Sequence, residues 1–282
     1  MQRLEKGLLV VSFGTTHEET RQKTIDAIER QLAEAFPDRK LYRGWTSKMI
    51  LRILKKRTGS TFDTVEEALE RMAAEGIRDV LVQPTHIISG EENDKMRATI
   101  EQETERFERV RVGQTLLDRP ADLTRLAKIL ADQLLHAPCG NENACGAEDV
   151  HEADRLLILM GHGSAEKPEA NQIYHDLQKT FLGLGYGNIL VATVEGTPAF
   201  RDVLRKLAES EGENRQKTVV LAPLMIVAGD HAKSDMAGEG EESWKNQLQA
   251  RGFDVIPVLK GLGEYPQVRE MIAEHAKAAE AE

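Results

Sequence analysis

The chain has 282 residues, 40% of them apolar and 30% charged, and a formal net charge of −10. That is room for one large α/β domain or two modest ones. It is also the wrong sign for a partner that is nucleic acid or an anionic membrane, because phosphate binding needs concentrated positive charge. Aromatic residues at 5% leave little for base-stacking surfaces, and two cysteines, Cys139 and Cys145, make no disulfide scaffold.

The first apolar run, Leu8–Ser12, is too short for a signal-peptide core or a membrane span. The expected location is the cytoplasm, although a leader removed from an exported precursor would leave no trace. The run is the first of eight predicted strands. Lys40–Tyr42, Val80–Gln83 and Val110–Val112 complete the first half, and Leu156–Met160, Ile189–Thr193, Thr218–Leu221 and Val255–Val258 make the second. Most are rich in Val, Ile and Leu with little alternation, as strands buried on both faces are. Helical patterns lie between them: Thr20–Phe36, Ser47–Arg57, Thr64–Ala74, Glu92–Phe107 and Ala121–Leu134, then Pro168–Leu182, Ala199–Ala208, Glu241–Ala250 and Tyr265–Ala279. Strand and helix in alternation predict an α/β fold with mostly parallel sheets.

The halves resemble each other. Leu8–Thr15 parallels Leu157–Ser164, and Val82–Glu92 parallels Leu221–His231, the second pair sharing Pro, an apolar run and Gly in register. The expected organisation is an N-terminal α/β half over 1–135, a linker or insertion over 136–153 and a C-terminal α/β half over 154–282, the sheets facing across a cleft. The linker is polar and aperiodic. Its spacing His136-x2-Cys139-x5-Cys145-x5-His151 matches no recognised zinc pattern, so it reads first as a loop.

Open parallel sheets bind ligands beyond the carboxyl ends of their strands. That rule selects Ser12, Phe13, Gly14 and Thr15, the segment His86–Glu92, His162 within Gly161-His-Gly-Ser164, Glu195, and His231 after Gly229-Asp230. Imidazole is both a first-row metal ligand and a base near neutral pH. The plainer reading of His162 is a turn histidine bonded to a carbonyl, and that of His231 a helix-start histidine. Glu92 has a plain alternative too: Ser89-Gly-Glu-Glu92 spells a capping box. Two histidines and one or two glutamates at strand ends form a plausible N/O set for a divalent first-row metal. No dinucleotide or P-loop pattern is present, so no nucleotide or organic cofactor is expected.

Several stretches carry a family resemblance: Leu9–Thr16, Trp45–Ile50, His86–Glu92, Met160–Gly163, Pro223–His231 and Gly261–Glu264, with Asp235-Met236 and Ser243-Trp-Lys245 following. Together they resemble the anaerobic sirohydrochlorin cobaltochelatases, from Lys6 to about Ala276. The resemblance implies a chelatase fold of two similar α/β halves, with Co²⁺ as substrate metal and sirohydrochlorin as the small-molecule partner. It places the metal-site and catalytic histidines on His162 and His231, a further metal carboxylate on Glu195 and a catalytic carboxylate on Glu92. Some relatives are exported and bind haem through an extra histidine, a role assigned to no residue here.

Chelation exchanges two pyrrole protons for one metal ion, and either histidine is a candidate proton acceptor, with Glu92 a second base. The ligand types do not fix the metal, since Ni²⁺ and Cu²⁺ suit them as well as Co²⁺. Iron or nickel insertion therefore stays open, as does a non-catalytic metal or tetrapyrrole carrier, and a homo-oligomer is compatible with the pattern. Candidate substrate contacts are Ser12, Phe13, Gly14 and Thr15, together with Arg52 on a basic helix face that also holds Lys48, Lys55 and Lys56. Met49, Ile50, Ile53 and Leu54 are expected to dock that helix.

Overall fold

A computed structural model describes residues 5–135, 155–209 and 218–282. The Cys139/Cys145 segment and the expected linker lie outside the described residues. The chain forms two compact units, Met1–Asp118 with Gly263–Glu282, and Arg119–Leu262.

The first unit is built on a four-stranded sheet of order β2-β1-β3-β4, with β1 Lys6–Ser12, β2 Lys40–Trp45, β3 Asp79–Pro84 and β4 Arg109–Val112. All neighbours are parallel, and β1 runs in register with β2 to Ser12↔Trp45 and with β3 to Val11↔Pro84. Leu8, Leu9, Val10 and Val11 are each fully buried. That explains the unbroken apolar run: the central strand is covered on both faces. On one face, α4 (Val65–Ala74) and α5 (Glu91–Glu103) close a core of Leu9, Val11, Leu69, Met72, Val82 and Met96. Elsewhere α2 (Ile25–Ala35) packs on β1 and β2, and α10 (Pro266–Glu280) packs on α2, β3 and β4.

The single helix expected over Thr20–Phe36 is two, α1 (Glu18–Lys23) and α2. Thr24 between them leaves the helical region, at φ −117° and ψ −81°, while its hydroxyl donates to the Thr20 carbonyl at 2.6 Å. A short side chain that bonds the backbone competes with the helix ladder, and periodicity does not record that competition.

The second unit repeats the plan. Its sheet has order β6-β5-β7-β8, all parallel, with β5 Arg155–Gly161, β6 Ile189–Thr193, β7 Thr218–Leu224 and β8 Asp254–Pro257. α8 (Phe200–Glu209) and α9 (Trp244–Gln249) contribute Phe200 and Trp244, whose rings stack at 4.1 Å inside one core, and α7 (Gln172–Gly183) packs on β6 and on α6 (Pro120–Leu134). The same strand order in both units supports the internal repeat read from the sequence. Among the described residues no helix is long and apolar enough to cross a membrane.

The units are bounded differently from the expected 1–135 and 154–282. α6 belongs with the second unit, and α10 with the first. Charge fixes the second of these assignments. Arg39, with no side-chain exposure, donates to Asp79 at 2.9 Å and to both oxygens of Glu280 at 2.9 and 2.7 Å, while Arg111 donates to Asp79 at 2.6 Å and to the Glu280 carbonyl at 2.5 Å. Periodicity could not place α10, because the partners of Glu280, Arg39 and Arg111, lie 241 and 169 residues away in sequence.

Burial pushes the Asp79 carboxyl up, but Arg111 and Arg39 more than offset it and hold the group below its ordinary 3.8. A depressed carboxyl contributes stability that is present above its unfolded value and lost as pH falls through the folded one. Arg39→Ala leaves Asp79 and Glu280 with Arg111 alone and should cost the first unit about 3 kcal/mol in urea unfolding. Asp79→Asn should flatten the acid limb of the stability profile below about pH 4. An unchanged midpoint in the first variant would show that the pair does not fasten α10.

Candidate metal centre

β5 ends in Gly161-His162-Gly163, and both glycines are required. A Cβ on Gly161 would meet the Tyr174 ring at 2.5 Å. Gly163 sits at φ +81°, and a Cβ there would come within 2.8 Å of the Gly196 nitrogen. The chain therefore turns tightly after the strand and leaves the His162 ring half-buried at its end. Neighbouring groups brace the turn. The Gly163 N–H donates to the Tyr174 hydroxyl at 3.4 Å, and the buried amide of Asn171 both accepts from the Ser164 N–H (2.9 Å) and donates to its carbonyl (2.8 Å). Burial pushes the Tyr174 hydroxyl up to about 12, so it stays a neutral partner.

Glu195 is tied to this turn through the backbone: its N–H donates to the His162 carbonyl at 2.8 Å, and that of Val194 to the Gly161 carbonyl at 3.0 Å. His231 arrives from the far side of β5. It follows β7 and opens a π-helical turn, His231–Met236, a geometry that recurs at functional sites. The His162 and His231 rings meet edge to face at 4.8 Å. The ligand atoms of His162, Glu195 and His231 all lie within 4.8 Å of one another, the one such group of three among the described residues. Metal bonds of about 2.0–2.2 Å need only side-chain movements of about an ångström to close on this set.

Hydrogen bonds set the tautomers. His162 Nδ1 lies 3.0 Å from the Gly163 carbonyl and His231 Nδ1 2.5 Å from the Asp235 carboxylate. Each Nδ1–H donates to its oxygen, leaving both Nε2 lone pairs free for a cation. The plain reading of His162 as a turn histidine is thus true and compatible with ligation. Asp235 escaped the sequence reading as a functional residue, although its spacing four residues after His231 puts the two on one helical face.

The first unit's strand ends behave unevenly. Ser12 is buried and its Oγ accepts from Thr85 at 2.9 Å; Thr15 is buried and its Oγ1 accepts from the His17 N–H at 3.2 Å. Gly14, at φ +98°, lies against the Trp45 indole. Of these four candidate substrate contacts only Phe13, 42% exposed, presents its side chain. Arg52 is exposed on α3 (Lys48–Thr58) and, with Lys48, Lys55, Phe62 and Glu67, lines a cavity of about 310 Å³. Ile50 and Leu54 dock α3 as expected, but Met49 does not: it is 63% exposed. Its start is joined to Phe13 by the Ser47 N–H, which donates to the Phe13 carbonyl at 3.2 Å.

The capping box expected at Ser89 does not form. α5 starts one residue later, with Gly90 as N-cap and no side-chain cap, and Ser89 Oγ instead accepts from the Asn93 amide at 3.2 Å. Glu92 is therefore released from capping. One of its oxygens is 3.3 Å from Lys95 Nζ, and the other is buried without a protein partner. Near it, burial pushes the His86 imidazole down to about 4, the Glu92 charge pulling the opposite way.

Two parallel sheets with a two-imidazole, one-carboxylate set at the strand ends make an α/β protein with a candidate metal centre. Among solved structures, "SirB from Bacillus subtilis with Fe3+" superposes with a TM-score of 0.63 over 98% of this chain and 96% of that one, at 11% identity, a likeness of fold alone. In sequence, the profile described as "Cobalt chelatase (CbiK)" matches residues 6–281. The chain is 36% identical over 276 residues to the sirohydrochlorin cobaltochelatase of Salmonella typhimurium strain LT2, covering 98% of this chain and 97% of that one. It is 30% identical over 277 residues to the sirohydrochlorin cobaltochelatase CbiKC of Nitratidesulfovibrio vulgaris strain Hildenborough, covering 98% and 90%. The chain belongs to the cobalt chelatase family.

Two measurements test this geometry. Asp235→Ala frees His231 Nδ1 and should weaken Co²⁺ binding about 10–100-fold in equilibrium dialysis, the usual effect of removing a ligand's hydrogen-bond partner; unaltered affinity would mean that the carboxylate does not orient the ring. His86 gives a pH signature. Unfolded, it takes up a proton near 6.5; folded, only near 4. Its burial therefore opposes folding increasingly as pH drops from about 6.5 to about 4, by up to about 3 kcal/mol. His86→Gln should remove that slope from the difference profile.

Proposed function

We propose that the protein inserts Co²⁺ into sirohydrochlorin, releasing two protons. The observation that carries this reading is the His162, Glu195 and His231 cluster, set in a chain that matches the cobalt chelatase family from residue 6 to 281. The two Nε2 atoms and the Glu195 carboxylate bind the ion as an incomplete shell. Three protein ligands leave positions open for macrocycle nitrogens, so the metal exchanges one ligand at a time instead of being stripped bare. As it transfers, a histidine that loses its metal regains a lone pair and is able to take a pyrrole proton. Glu92, free of any capping role, serves as a second base.

The substrate is an aromatic ring system fringed with carboxylates. On the first unit, the exposed side chains of Phe13 and Met49 give an apolar surface, and Lys48 and Arg52 offer cations to acetate and propionate groups. Gly14 contributes the turn that exposes Phe13, while Ser12 and Thr15 hold that turn through their own hydrogen bonds. The same reading carries a cytoplasmic location and a homo-oligomeric state, to be checked by fractionation and light scattering.

Mixing the protein with sirohydrochlorin and excess Co²⁺ and following the visible spectrum should show many turnovers per chain. A spectral change that stops at one equivalent would make the protein a carrier. His162→Ala and His231→Ala should each lower the rate by about 100-fold or more while the fold persists by circular dichroism. Near-normal rates in both would remove the triad from the mechanism. Lys48→Glu with Arg52→Glu should raise KM for sirohydrochlorin more at low than at high ionic strength, and an unchanged KM at low salt would leave α3 with a structural task alone.

A further inference from the structure

The first unit holds buried polar atoms that the metal centre does not use. Both ring nitrogens of His86, one Glu92 oxygen, the side-chain amide oxygen of Asn93 and the Thr115 hydroxyl are withdrawn from solvent with no hydrogen-bond partner among the described residues. They share one neighbourhood. His86 follows β3, and its carbonyl accepts from the Leu116 N–H at 2.9 Å, which sets Thr115 beside it. Glu92 and Asn93 occupy the first turn of α5, and the Glu92 charge acts on the His86 ring. Native proteins rarely leave buried polar atoms unpaired, and a group of them asks for a use.

The two metal-site histidines show what an anchored ring looks like: each commits Nδ1 to an oxygen. His86 commits neither nitrogen, so the ring can gain a proton on one side and lose one from the other without first breaking a bond to the protein. Burial keeps it neutral, so a lone pair is available at working pH.

We propose that His86 is a positioning and relay residue for Glu92, passing onward the proton that Glu92 takes from the macrocycle. This rests on the reading of Glu92 as a base. A pyrrole N–H bond breaks as a carboxylic O–H bond forms on Glu92. That O–H then breaks as one His86 nitrogen is protonated; the half-buried ring, held by no hydrogen bond, turns its opposite nitrogen outward, and that nitrogen gives its own proton to water. The ring ends neutral in the other tautomer and resets by exchange with solvent; one proton leaves, and nothing is oxidised or reduced. Glu92 has the freedom to move by rotation, since its ion pair among the described residues is with the exposed Lys95, at 3.3 Å.

The test uses the full chain with sirohydrochlorin and Co²⁺, comparing wild type, His86→Gln, Glu92→Gln and the double variant for kcat, both KM values and the solvent deuterium isotope effect. Glutamine keeps a donor and an acceptor but cannot relay. The expected result is a fall in kcat of about 10-fold or more for His86→Gln, KM values within about twofold, an altered isotope effect, and a double variant no slower than Glu92→Gln alone. Added imidazole should partly restore His86→Ala. Normal kcat in His86→Gln beside a slow Glu92→Gln would overturn the relay and keep the Glu92 reading. Multiplying effects in the double variant would also overturn it. Normal kcat in Glu92→Gln would end the Glu92 reading and the relay with it. Should His86→Gln not fold, His86→Asn takes its place in the same comparison.

Discussion

Parallel pairing of β5 with β6 on one side and β7 on the other is the constraint on which the candidate metal centre depends. Parallel neighbours end at the same sheet edge, so three segments far apart in the chain deliver His162, Glu195 and His231 to one place. An antiparallel neighbour would send its ligand to the opposite edge. Everything else at the centre refines this placement: the Gly161 and Gly163 turn lets the chain pass close to Gly196, and the backbone bond from Glu195 to His162 keeps those two residues in step.

Much of this was legible in the sequence, for a physical reason. Strands covered on both faces must be apolar along their length, so the central β1, β3, β5 and β7 stood out within a few residues, and the strand-end rule then pointed to His162, Glu195 and His231. What stayed hidden is what a linear pattern does not encode. Thr24 breaks a helix by bonding to Thr20, and Ser89 fails as a cap because its hydroxyl is taken by Asn93. α10 joins the first unit through Arg39 and Arg111, across most of the chain. Met49 reads as a docking residue by spacing, yet is exposed. The orphaned state of His86 is visible only once neighbouring side chains are in place.

The molecule treats its buried polar groups in two ways. Around Arg39, each charge meets an opposite charge, and the cluster holds a helix to its sheet. At the His86 ring and one oxygen of Glu92 the groups are desolvated with no partner among the described residues, an arrangement that costs stability and suits proton movement. The charge distribution follows a similar division. A chain with net charge −10 still offers a local cationic face on α3, where Lys48, Arg52 and Lys55 border one cavity, so an anionic substrate is compatible with an acidic protein.

The central claim is that His162, Glu195 and His231 together receive the metal. Cobalt K-edge X-ray absorption on the one-to-one Co²⁺ complex tests it most directly. The expected spectrum has a nitrogen and oxygen shell at about 2.0–2.2 Å with the outer-shell scattering of two imidazoles, one of which disappears in His162→Ala and one in His231→Ala. A sulfur shell, pointing to Cys139 or Cys145, or imidazole scattering that survives both substitutions, would contradict it.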